Sequence, residues 1–139
     1  MKNYWLIKTE PENDWSWKDQ INKNIESWDG VRNYAARKNL TLMKKNDLAF
    51  FYHSGNDKCI MGIVKIVKES YPDPTDQSKK FVMVDVKTLK SFKRPVTLKE
   101  IKTIKKLDKM VLVNNSRLSV QPVTNAEWEI VCDLSKRNF

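Results

Sequence analysis

His53 and Ser54 are the first residues to test for chemistry, because a histidine beside a serine suggests a nucleophile and its base. Neighbours on a strand point to opposite faces, so the two cannot form a direct pair there. The chain has no G-x-S-x-G elbow, no Gly-rich phosphate loop and no paired-carboxylate dyad. His53 is the single histidine, and Cys59 and Cys132 lie far apart without C-x-x-C spacing. Cysteine and histidine alone therefore cannot supply the four ligands of a structural zinc, and the thiols read as reduced and partly buried. The sequence leads to no catalytic set, no metal site and no cofactor.

The side chains suited to recognition are concentrated between Trp28 and Ser54, in WDGVRNYAARKNLTLMKKNDLAFFYHS. Trp28 is an indole placed before an Asp29-Gly30 turn; it is either a pocket wall on which a base can stack or part of the core. Asn33 carries a donor and an acceptor on one amide, which suits the reading of a base edge, and it is equally placed to cap a helix. Arg32, Arg37 and Arg117, with Lys38, can hold phosphate; each arginine could instead pin a loop carboxylate such as Asp29 or Asp73. Lys8 and Glu10 end the first strand and face either the same cavity or solvent. Alternation puts Tyr52 and Ser54 on one face, and with Tyr71, Thr75 and Ser119 they would ring a partly aromatic cavity with hydroxyls.

Four blocks in this chain, taken in order, closely resemble the signature of the EVE domain family of the PUA-like superfamily. They are Tyr4-Trp5-Leu6-Ile7-Lys8-Thr9-Glu10-Pro11, the run W-D-G-V-R-N-Y-A-A-R continuing to F-Y-H-S, Tyr71-Pro72-Asp73-Pro74-Thr75, and Arg117-Leu118-Ser119-Val120-Gln121-Pro122-Val123. The resemblance implies a PUA-like, small and partly closed β-barrel. It also implies a module that reads a flipped modified base, modified cytosine in DNA first. Methylated adenine in RNA, as in the related YTH domains, is the alternative ligand, and a protein adaptor without base reading is the alternative function. Many family members carry a longer loop, with an extra tryptophan, after the Y-P-D-P-T block. Here Asp76 to Lys80 runs quickly into the next strand, which bears on any lid over the pocket.

The net charge of +9, from 26 Lys and Arg against 17 Asp and Glu, agrees with a polyanionic partner whose phosphates would make binding salt-dependent. Much of the excess is lysine, which biased composition alone could supply. A chain of 139 residues makes one domain with one modest core. No apolar run approaches 18 residues and no cleavable signal pattern is present, so the expectation is a soluble monomer away from membranes, cytoplasmic, or nuclear in a eukaryote.

The elements that must position these groups can be read from pattern. Tyr4 to Lys8 and Leu48 to Tyr52 are strands rich in aromatic residues. Ser16 to Asp19 has capping-box spacing, which predicts a helix from Trp17 to about Asn22 with Trp15 and Trp17 at its start. A second helix follows Asn33, from Tyr34 to about Leu40. Ser54 to Asp57 reads as a hairpin turn leading into a strand from Ile60 to Val67, where Gly62 marks a bulge or close backbone approach. The prolines make Tyr71 to Thr75 an ordered loop, and the polar Asp76 to Lys80 reads as mobile. Val82, Val84 and Val86 alternate along a strand that could run on to Phe92. Thr97 to Glu100 has capping-box spacing, with Ile101, Ile104 and Leu107 at helical spacing beyond it. Leu118 and Val120 mark a last strand ended by Pro122, and Thr124 opens a final helix whose Trp128, Val131 and Leu134 face the core. The class is α+β, with five to six strands and short flanking helices.

Overall fold

A computed structural model describes residues 3–137. Six strands form one mixed sheet: β1 (Tyr4–Thr9), β2 (Ile25–Ser27), β3 (Leu48–His53), β4 (Cys59–Pro72), β5 (Val82–Thr97) and β6 (Val120–Val123), in the order β2-β5-β4-β3-β1-β6. β1 runs parallel to β3 and all other pairings are antiparallel. The α+β class and strand number are those expected; the sheet stays open, with β2 and β6 as its edges rather than a closed barrel. Five helices flank it: α1 (Trp17–Lys23), α2 (Tyr34–Leu42), α3 (Leu98–Lys102), α4 (Val111–Asn114) and α5 (Asn125–Ser135).

Strand alternation gives the sheet two buried faces. Trp5, Ile7, Ala49, Phe51, Val64 and Val84 point to the face covered by α1, α2 and the Trp28–Val31 turn. Leu6, Phe50, Tyr52, Ile60 and Phe92 point to the other, covered by Ile101, Leu107, Leu112 and the α5 residues Trp128, Val131 and Leu134. Trp128 stacks on Phe50 with centroids 3.9 Å apart, and Trp5 donates its indole N–H to the buried Asp47 at 3.0 Å. Both indoles are core, Trp128 as read from the sequence.

The local signals have physical counterparts. Ser16 and Asp19 form a reciprocal capping box at α1, and Asn33 Oδ1 accepts from the Ala36 amide at 3.0 Å to cap α2. At Gly62 the Trp17 ring and the Lys90 carbonyl press so close that a Cβ would collide with both, and the pairing register shifts there. His53, on the same face as Phe51, accepts the Trp17 backbone N–H through Nε2 at 2.9 Å, while Nδ1 faces Asp57 at 3.1 Å. Its imidazole locks the start of α1 instead of serving a nucleophile.

Several expectations are revised. β4 and β5 are longer than read, 14 and 16 residues, and Tyr71 and Pro72 belong to β4 rather than to a loop. Bulges absorb the irregular positions and let the pair continue past them. The Thr97 cap is one-sided: its hydroxyl accepts the Glu100 amide, while the Glu100 carboxylate turns to Arg94. α3 ends after five residues, and Leu107 sits in a separate 3-10 turn. Pro122 lies inside edge strand β6, where a missing donor is tolerated. Asp76 to Lys80 is pinned, because the Asp76 carboxylate accepts from the backbone of Ser78, Lys80 and Phe81 and from the Ser78 hydroxyl. Those donors hold its pKa down at about 2.

Candidate functional site

Next to β2 the chain leaves the sheet at Trp28, whose amide donates to the Val84 carbonyl at 2.7 Å. Gly30 then adopts φ of +79°, a left-handed angle that a side chain would strain, and the chain doubles back toward α2. The turn is held by a residue far along the chain. Asp73, almost wholly buried, accepts from the Gly30 amide at 2.8 Å and from Arg32 Nη1 at 3.0 Å. It also takes the Thr75 amide and hydroxyl, at 2.8 and 2.6 Å. Burial pushes the Asp73 carboxyl upward, but the donors from Thr75, Gly30 and Arg32 outweigh it and leave the group below its ordinary range. Arg32 thus pins a loop carboxylate, one of the two roles open to it from sequence.

Between this turn, the end of β1 and the start of α1 lies an open cavity of about 420 Å³, within the size range of small-ligand sites. Trp28 and Trp15 form its aromatic wall. Trp28 is 7% exposed and packs edge-on against Phe51, so it is pocket wall and core at once. Trp15 is half-buried and steadied by its indole N–H, which donates to Gln20 at 2.9 Å. The polar rim includes Asn33, Ser119, Thr9 and the carboxyl residues Asp14, Glu26 and Asp29. Asn33 uses its oxygen for the helix cap, and among the described residues its amide donors have no partner. Burial raises the Asp29 pKa, and the neighbouring Asp73, Glu26 and Asp14 add to that rise. Among the described residues no group of His, Cys, Asp or Glu is arranged to hold a metal ion.

Of the ten pocket residues read from sequence, Trp28, Arg32, Asn33, Ser119 and Lys8 line this cavity. The other five lie elsewhere. Tyr52 points to the opposite face of the sheet, where burial lifts its phenol to about 12. Ser54 latches β1 to β3 through the Thr9 carbonyl, and Glu10 caps the backbone of Glu12 and Asn13. Tyr71 bonds Ser27 at 3.1 Å and Asp85 at 2.5 Å behind the wall, and Thr75 braces Arg32 at 2.8 Å. Alternation showed which residues share a face but not which face carries the cavity. Of the phosphate candidates, Lys38 and Arg117 are exposed, while Arg37 donates to the Lys80 carbonyl and lies over Tyr34. Thr9, Asp14, Trp15, Glu26 and Ser27, together with Asp29, Gly30 and Val31 of the turn itself, also line the cavity and were not assigned to it from sequence. For Trp15 the signal was present, an indole just ahead of a helix cap.

Residues 3–134 match the family model of the EVE domain. The chain belongs to the EVE domain family. Thymocyte nuclear protein 1 of mouse is 38% identical over 169 aligned residues, covering 98% of this chain and 75% of that protein. That alignment is longer than the chain, so the mouse protein carries internal segments that this EVE domain lacks. Among solved structures, protein Rpa0253 of Rhodopseudomonas palustris is 50% identical, with a TM-score of 0.90 over 96% of this chain and 92% of that one. Human THYN1, solved in complex with DNA containing 5-methylcytosine, is 35% identical with a TM-score of 0.90, covering 99% and 100% of the two chains. A YTH domain of Zygosaccharomyces rouxii shares the fold at a TM-score of 0.60 and 18% identity. No helix among the described residues is long and apolar enough to cross a membrane.

Proposed function

We propose that this EVE domain binds DNA and draws one modified base, a modified cytosine, out of its stack into the cavity walled by Trp15 and Trp28. The observation that carries this reading is the cavity itself: two indoles, unshared amide donors on Asn33 and a carboxylate rim around a space fit for one base. The human THYN1 complex with 5-methylcytosine DNA, on the same fold over nearly all of both chains, supports the choice of ligand. Flipping a base costs a few kcal/mol, and stacking on an aromatic side chain returns about 1–3 kcal/mol per base. The net charge of +9 supplies phosphate attraction without regard to sequence. The exposed Lys38 and Arg117 are the residues proposed for that contact.

The test is a panel of duplexes carrying unmodified, methylated or hydroxymethylated cytosine, with methylated adenine in RNA alongside, titrated at two salt concentrations. Tighter binding to a modified cytosine at both salts, over an affinity that falls with salt, is the expected result. Equal affinity across the panel reduces the protein to a general polyanion binder, and preference for methylated adenine in RNA moves it to the other ligand class.

A further inference from the structure

The cavity's rim is acidic in a protein that is otherwise basic. Asp14, Glu26 and Asp29 line it, whereas of the two cations there, Arg32 is committed to Asp73 and Thr75, and Lys8 donates to the Ser116 carbonyl at 2.5 Å. Asp29 differs from Glu26 in having no partner and from Asp14, whose carboxylate is also without a donor among the described residues, in its place on the turn. It stands between Trp28 and Gly30, on the turn that Asp73 fixes from behind, exposed at the cavity rim with its carboxyl only partly withdrawn from water. Among the described residues no other residue donates a hydrogen bond to its carboxylate. Glu26, by contrast, accepts from Lys23 at 2.9 Å and from the Ser27 amide.

Resting on the base-reading proposal above, we infer that Asp29 is the residue that selects the base: it pairs with an exocyclic amine and the unprotonated ring nitrogen beside it, sharing one proton with that nitrogen. Cytosine presents this pair of groups, a donating amine next to an accepting nitrogen, and thymine does not. An ionised carboxylate can accept from the amine with one oxygen, but its second oxygen then faces the ring nitrogen's lone pair. One added proton turns that repulsion into a second hydrogen bond, whether it rests on the carboxyl or on the ring. Thymine has no weakly basic ring nitrogen to help hold the proton. Its N3–H bonds an ionised carboxylate without taking a proton up.

The surroundings favour the shared proton. The groups facing Asp29 are Glu26 of β2, Asp14 of the loop before α1 and Asp73 of the loop after β4, all of which disfavour its negative charge, as burial does. Lys23 of α1 and Tyr71 of β4 also sense it, the lysine as the opposing charge and the tyrosine as a neutral hydroxyl. Arg32 also lines the cavity, and Lys8 borders it with its ammonium over the Tyr52 ring.

The test compares duplexes with a single 5-methylcytosine or a single thymine, each opposite guanine, at pH 8 and pH 6, against wild type, Asp29→Asn and Asp29→Ala. Calorimetry in two buffers of different ionisation enthalpy counts protons taken up. Wild type should take up a proton only with 5-methylcytosine, its affinity rising by up to about tenfold per pH unit while thymine binding stays level. Asp29→Asn, whose amide imitates the protonated acid, should keep 5-methylcytosine affinity and lose its pH dependence. Asp29→Ala should weaken that affinity roughly tenfold. Any contribution from His53 is common to both duplexes and all three proteins, so it cancels. A wild type that prefers 5-methylcytosine equally at both pH values, or an Asp29→Asn variant that retains the pH slope, overturns the role of Asp29 and leaves the base-reading proposal standing. Equal binding of both duplexes by wild type at both pH values overturns the two together.

Discussion

Replacing Asp73 by alanine should cost both stability and reading, because one buried carboxylate holds the whole turn that carries Trp28, Asp29 and Asn33. The substitution removes four hydrogen bonds, from the Gly30 amide, Arg32 Nη1 and the Thr75 amide and hydroxyl. Each bond to a charged acceptor is worth about 1.5–3 kcal/mol in mutational series, but they are not additive and not all the stranded groups stay dry. The Arg32 side chain is 39% exposed and can turn to water, so the full 3–5 kcal/mol of a broken buried ion pair is not expected. The remainder is a loss of about 2–3 kcal/mol, read by urea unfolding as a lower midpoint with unchanged slope. Preference for a modified over an unmodified cytosine, measured by anisotropy at one salt, should disappear while general salt-dependent DNA binding remains. Asp73→Asn should do little better, since whichever way its amide turns, its NH2 faces a backbone N–H donor, that of Gly30 or that of Thr75. A loss below about 0.5 kcal/mol with intact discrimination would show that the turn holds itself, and the account of the pocket's construction would be wrong.

Trp28→Ala should both destabilise, by about 3–5 kcal/mol as for a buried aromatic in contact with Phe51, and abolish discrimination, so Trp28→Phe and Trp15→Ala are the informative variants. Trp15, half-buried at the rim, should lose discrimination in its alanine variant with little change in the thermal midpoint. Gly62→Ala should cost about 1–3 kcal/mol by forcing the Trp17 ring and the Lys90 carbonyl apart, visible as a lowered urea midpoint. Asp76, with its pKa lowered to about 2, supports the 76–81 turn as long as it is ionised. That support is complete above the ordinary carboxylate pKa and should fade as pH falls from about 4 through 2. Amide exchange at Ser78, Lys80 and Phe81 in wild type and Asp76→Asn should show it.

How much of this was legible depended on the range of the interaction. Short-range chemistry could be read directly: the Ser16 capping box and the Asn33 cap are each set by a few neighbouring residues, whereas Gly62 signalled a close approach without saying that Trp17 and Lys90 make it. Five of the six strands could be read from composition and alternation, whereas the burial of both sheet faces goes beyond the one modest core expected. β2 is only Ile-Glu-Ser, too short to alternate, and its place beside β5 depends on partners 60 residues away. The site divides in the same way. Trp28, Arg32 and Asn33 stand on one turn and were found together. Tyr52 lies on the opposite face of the sheet, because a period of two gives faces without naming them. The pairing of Arg32 with Asp73, 41 residues on, was one of two options until the fold joined them. Asp76 to Lys80 looked mobile from composition, and one carboxylate with four donors orders it.

The central claim is that a single nucleobase enters the cavity between Trp15 and Trp28. The most direct measurement is the nuclear magnetic resonance spectrum of the five indole N–H groups during titration with the mononucleotide of 5-methylcytosine, which is too small to engage a broad basic surface. The account predicts that Trp15 and Trp28 shift together and saturably while Trp5 and Trp128 hold still. Indoles that stay put, with shifts spread instead over surface lysines and arginines, would contradict it.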